Sequence, residues 1–195
     1  GALGFVGIEL ISKVKNLLPN NIISVTMGND INPNNSVNIK NLKMVTEKEI
    51  NYLKIGLFDK KYLSEHQVIL DQINFKKTQP ICVMFADQGF DLNNVEKLID
   101  IGYQGIMIDT CYKNSKSIVD LLSREEIKGF LKIVKARNMI CGLSGSLKLK
   151  HIAMLKELNP DFLGFRGQLC DPSKARHKFN INLAQEVSKK IKLSF

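Results

Sequence analysis

Six short apolar runs punctuate the chain: "IISVTMG" (22–28), "YLKIGLF" (52–58), "ICVMFA" (81–86), "GIMID" (105–109), "ICGLSG" (140–145) and "FLGFRG" (162–167). Each is too short for a helix, and several close on Gly or Asp. That is the pattern of strands covered on both faces. Stretches of helical period separate them. In "REEIKGFLKIVKAR" (124–137), Ile127, Phe130, Leu131 and Val134 recur at helical spacing, and Ser123-x-x-Glu126 reads as a capping box. "LKHIAMLKELN" (149–159), "INLAQEVSKKIKL" (181–193) and the opening stretch 4–18 have the same character.

Near-continuous apolar strands alternating with helices predict an α/β fold with a parallel sheet covered by helices. The cysteines mark the beat of the repeat. Cys82, Cys111, Cys141 and Cys170 are spaced by 29, 30 and 29 residues, two within apolar runs and two just beyond run ends. No C-x-x-C pair occurs, so a metal or dithiol reading is weak, and small buried thiols in a reducing compartment are the expectation. A unit of about thirty residues suits a βα repeat. Two architectures fit: a six-stranded open α/β sheet, or a TIM (β/α)8-type barrel of which six strands are present. A full barrel needs eight units and typically about 250 residues.

Composition bounds the function. A chain of 195 residues, 44% hydrophobic and 24% charged, suits one soluble domain spanning residues 1–195. No apolar run approaches the roughly 18 residues that cross a membrane. The N-terminus lacks the order of a signal peptide, so a cytoplasmic protein is expected. The formal charge of +9 is carried mainly by scattered lysines without aromatic interleaving. That reads as a solvated surface, with a positive field suited to phosphorylated metabolites and no nucleic-acid partner.

In parallel sheets of this kind, chemistry gathers at the C-terminal ends of strands. Lys54 lies inside a run, where it either snorkels from an edge strand or enters a barrel mouth with a lowered pKa, fit to act as base or nucleophile. Asp109 closes "GIMID" and Lys113 follows four residues later. The pair reads either as a capped turn with a solvated lysine or as a carboxylate orienting an amine. Gly145-Ser146 and Arg166-Gly167 end the last two runs, where barrels commonly bind phosphate. His66, His151 and His177 share no ligand spacing and suit solvated positions. No Walker loop, nucleophile elbow or metal motif occurs.

Taken in order, "YLKIGLF", "GIMIDTCYKNSKSIVDLLS", "CGLSGSLKLKHIAMLKELNPDFLGFRGQLC" and, more weakly, "IISVTMGND" resemble the (5-formylfuran-3-yl)methyl phosphate synthases of methanofuran biosynthesis. The resemblance implies a (β/α)8 lyase that condenses two molecules of glyceraldehyde 3-phosphate through a lysine Schiff base, with loss of one phosphate and water. It implies no cofactor and no metal. By it, Lys54 matches the proton acceptor, and Asp109 and Lys113 match the Asp-Thr-x-x-Lys acid and amine. Gly145, Ser146, Arg166 and Gly167 would hold the substrate phosphate.

One departure stands out. The family's Schiff-base lysine lies in an Asp-x-Lys motif on its second strand, and no residue here matches it, since Lys13 and Lys15 fall in the first helix. The resemblance therefore implies a barrel lacking its first two βα units, and an inactive chain. The segment "CDPSKARHKFN" after the last run is longer and more basic than the family's, and offers Arg176 to a phosphate. A different Schiff-base aldolase with Lys54 as nucleophile, or a non-catalytic phosphometabolite- or RNA-binding protein, are the alternatives. The sequence leaves a homo-oligomer open.

Overall fold

The computed structural model describes residues 4–112, 116–171 and 178–193. Strands β1 (Ser24–Thr26), β2 (Tyr52–Leu57), β3 (Gln79–Phe85), β4 (Gly105–Asp109), β5 (Ile140–Leu143) and β6 (Phe162–Leu163) form one sheet. They pair in the order in which they occur, and every pair is parallel. A doubly wound open sheet reverses its strand order at a switch point. Unbroken sequential order is the winding of a (β/α) barrel, so the barrel alternative holds. Among the described residues, β1 and β6 each pair with one neighbour, and the sheet is not closed into a ring.

The helices are α1 (Ile8–Leu17), α2 (Ser36–Thr46), α3 (Leu63–Gln72), α4 (Leu92–Ile101), α5 (Ile118–Leu121), α6 (Arg124–Ala136), α7 (Ile152–Glu157) and α8 (Ile181–Leu193). The capping box before α6 forms as the sequence predicts: Glu126 accepts the Ser123 N–H at 2.7 Å, and Ser123 Oγ accepts the Glu126 N–H at 3.2 Å. Helices α2 and α4 each begin at an Asx cap, Asn35 and Asp91, whose side chains accept a backbone N–H of the first turn. The expected helix at 149–159 is instead a 3-10 turn (Leu149–His151) followed by α7. It ends before Asn159, which takes the left-handed conformation (φ +55°) ahead of Pro160.

Alternation along the strands sends side chains to two faces. Leu53, Ile55, Cys82, Met84, Ile106, Ile108 and Cys141 join Leu98, Phe130 and Val134 of the helices in the main core. Ile81, Val83, Phe85 and Met107 point the other way, with Tyr52, Phe58, Ile140 and Phe162 packed against them. Gly105 lies on this second face, where a Cβ would stand 2.7 Å from the Ile140 carbonyl oxygen and 2.6 Å from Ile81 Cδ1. The backbone oxygen cannot swing aside, so Gly105→Ala is expected to destabilise the fold by about 1–3 kcal/mol. Urea unfolding with an unchanged midpoint would contradict this.

The histidines differ from expectation. His66 is fully buried on α3 and His151 nearly so, while His177 falls outside the described residues. The packing of α3 turns His66 inward, where its Nδ1 lies 2.6 Å from the Tyr103 hydroxyl. Among the described residues, no helix is long and apolar enough to cross a membrane.

Candidate active site

The second face of the sheet borders a cavity of about 1100 Å³, to which β1, the later strand ends and Leu183 of α8 all contribute. The sheet thus curls around it. Lys54, Asp109, Gly145, Ser146, Arg166 and Gly167, picked out separately along the sequence, all line this one space. Lys113 and Arg176 lie outside the described residues.

Lys54 reaches the cavity because β2 is an interior strand, paired to β1 at Thr26 and to β3 at Ile81. Its neighbours on that face, Tyr52 and Ile81, are largely apolar and line the same cavity. The edge-strand alternative is therefore excluded. Burial lowers the pKa of the Lys54 amine, and the Asp109 carboxylate partly opposes this by favouring the charged form. Among the described residues, the other charged groups bordering the cavity are Lys148, Asp161, Arg166 and Asp171.

Asp109 is the last residue of β4 and pairs with Phe85. Its Oδ1 accepts the Thr110 N–H at 2.6 Å, and its carbonyl accepts the Ala86 N–H at 2.9 Å. The turn after β5 is tightly constrained. Gly145 has φ +103°, and a Cβ there would lie 2.9 Å from the Thr110 nitrogen and 2.7 Å from Ile118 Cγ2. Only glycine suits that position. Ser146 follows in the left-handed region at φ +50°, and its Oγ is buried with no hydrogen-bond partner among the described residues. A buried hydroxyl without a protein partner in a cavity wall is open to a hydrogen bond with water or an anion. Gly167, by contrast, leaves open space where a side chain would be. Among the described residues, no carboxylate forms an ion pair with Arg166.

Sequence reasoning missed several contributors. Lys148 lines the cavity two residues beyond Ser146, and its position in "GSLKLK" was a usable signal. Ser144 borders the cavity and bonds the Ile108 carbonyl through both its N–H (2.8 Å) and its Oγ (3.3 Å). Gln168 also lines it, and its Oε1 accepts the Leu149 N–H at 3.4 Å, tying together the turns after β5 and β6. No local pattern announces either bond. Among the described residues, no group of three or more His, Cys, Asp or Glu side chains is placed to hold a metal.

This order of strand ends matches a known family along nearly the whole chain: the one described as 4-HFC-P synthase covers residues 1–188. The chain belongs to that family. It is 28% identical over 182 residues to the (5-formylfuran-3-yl)methyl phosphate synthase of Methanococcus aeolicus, with 87% of this chain and 77% of that protein covered. With the synthase of Methanocaldococcus jannaschii it shares 29% identity over 153 residues, covering 72% of this chain and 63% of that protein. It spans about half the length of some curated relatives, 46% in the case of one from Methylorubrum extorquens. Two solved structures resemble it in fold. They are KGPDC from Streptococcus mutans (TM-score 0.60, 13% identity, 97% of this chain and 78% of that one) and a 3-hexulose-6-phosphate synthase (TM-score 0.59, 10% identity, 97% and 81%).

Proposed function

We propose that this cavity is the site of a lyase that condenses two glyceraldehyde 3-phosphate molecules into (5-formylfuran-3-yl)methyl phosphate through a lysine Schiff base. The observation that carries the reading is the half-buried Lys54 amine, its pKa lowered by desolvation, in a cavity it shares with Asp109. Furan formation requires protons to be removed from carbons adjacent to an imine or carbonyl. A lysine whose pKa is lowered by desolvation gives up its proton more readily and suits that task. Lys54 takes the role of proton acceptor, with Asp109 holding its amine oriented and Lys113 as the second amine. Gly145, Ser146, Arg166 and Gly167 bind the substrate phosphate, joined by Lys148.

The imine-forming lysine of the family's Asp-x-Lys strand has no counterpart in residues 1–195. The test therefore compares two proteins: this chain, and this chain joined at Gly1 to a segment carrying that strand. Each is incubated with glyceraldehyde 3-phosphate, trapped with borohydride and assayed for the phosphorylated furan by mass spectrometry. The joined protein is expected to yield furan and an adduct on the Asp-x-Lys lysine, and this chain no furan. A joined protein that folds and gives neither product would overturn the reading.

The same half-buried amine favours a second reading, in which Lys54 itself forms the imine of a class I aldolase. Peptide mapping separates the two, since an adduct on Lys54 in this chain supports the aldolase. The phosphate assignment has its own check. Ser146→Ala is expected to weaken inorganic phosphate binding by roughly tenfold, because a hydroxyl bond to a charged group is lost. An unchanged affinity in a calorimetric titration would remove Ser146 from that role.

A further inference from the structure

The carboxylate of Asp87 belongs to none of the positions considered so far. It lies on the loop between β3 and α4, half-buried, two residues after the end of β3. Its two oxygens accept consecutive backbone N–H groups from the loop after β4: Oδ1 takes Cys111 at 2.8 Å and Oδ2 takes Tyr112 at 2.8 Å. Bonds from amides to an ionised carboxylate are among the stronger hydrogen bonds in proteins, and two in parallel fix orientation as well as distance.

These bonds complete a ladder between two successive strand ends. The Asp109 carbonyl accepts the Ala86 N–H at 2.9 Å, and the Asp109 carboxylate accepts the Thr110 N–H at 2.6 Å. The next two amides, Cys111 and Tyr112, go to Asp87. Four consecutive residues are thus held either by the Ala86–Asp87 corner or by the Asp109 side chain. The direction of the Thr110 N–H sets where the Asp109 carboxylate points. The turn that sets that direction is held by Asp87. On its far side, Thr110 is packed close against Gly145, which leaves the turn little room to drift.

We infer that Asp87 is a positioning residue of this site, clamping the 110–112 turn so that the Asp109 carboxylate keeps its place in the cavity it shares with the Lys54 amine. The inference rests on the reading of Lys54 and Asp109 as working groups, but its test does not depend on furan being made. Asp109 favours the charged form of the Lys54 amine, whereas both Asp87 oxygens are engaged by the Cys111 and Tyr112 amides. Asp87 therefore works through hydrogen bonds, and the number of acceptors it offers should matter more than its charge.

The experiment titrates Lys54 in the full chain by NMR after reductive ¹³C-methylation, with Lys54→Arg used to assign its signal. In Asp87→Ala, the Lys54 titration is expected to move down by about half a pH unit as the opposing carboxylate loosens. In Asp87→Asn, which loses the charge but keeps one acceptor, the move should be clearly smaller. A purely structural clamp would lower stability and leave the Lys54 titration in place. A folded Asp87→Ala chain with an unmoved Lys54 titration would overturn the inference, as would Asn and Ala behaving alike. If Lys54 moves as expected while the joined protein makes no furan, the positioning role stands and the synthase reading falls.

Discussion

Lys54→Met is expected to lower furan formation by roughly a thousandfold or more in the protein carrying the Asp-x-Lys strand, the range over which a positioned general base acts. Methionine keeps the length and apolar stem of the side chain, so the cavity wall is preserved and only the amine is lost. Lys54→Arg should be as inactive, since a guanidinium stays protonated and cannot accept a proton. Phosphate affinity should remain within a few-fold in both, because the turns after β5 and β6 are untouched.

The pH dependence gives a second handle on the same residue. Burial lowers the Lys54 pKa, and the amine works only when neutral, so the rate should rise with pH through that lowered pKa and level off above it. Asp109 favours the charged form, so Asp109→Asn should carry the rising limb toward lower pH whatever it does to the maximum rate. A limb that stays in place, or moves up, would break the link between the two residues.

How far the sequence foretold this can be judged residue by residue. The six runs became six parallel strands, because an apolar segment flanked by helical periods has few other ways to hide both faces. Five of the six end earlier than the runs, mostly because the closing Gly, Ser and Ala residues belong to the loops, while β4 ends at Asp109 as the run does. Lys54 and Asp109 could be singled out because a charge in or at the end of an apolar strand is costly without a purpose. What stayed hidden was contact across elements. Asp87 in "FADQG" looks like any loop acid, and its value lies wholly in where the amides of Cys111 and Tyr112 come to rest. His66 was misread for a related reason. On a short helix with a weak apolar period, the sequence does not say which face turns inward.

The buried His66 is expected to make the fold acid-sensitive. In the folded chain, burial pushes its pKa down from 6.5 to about 4. Its Nδ1 is engaged by Tyr103, and its Nε2 has no partner among the described residues that could stabilise a second proton. Between these two values the unfolded chain holds a proton that the folded chain does not, so protonation favours unfolding. Stability is fully present above about pH 6.5 and drains away as the pH falls toward 4, by about 3 kcal/mol if the whole shift is realised. The exposed carboxylates Asp120 and Glu126 have lowered pKa values through their bonds to Ser117 and Ser123, so their losses come at lower pH. His151, also lowered by burial, adds to the loss in the same direction. The test is urea unfolding from pH 8 to pH 4, run on the unsubstituted chain and on His66→Phe/Tyr103→Phe. The double change removes both polar partners and leaves no orphaned hydroxyl. Most of the slope between pH 6.5 and 4 should vanish with it. A double variant that folds and keeps the full slope would place the acid sensitivity elsewhere in the molecule.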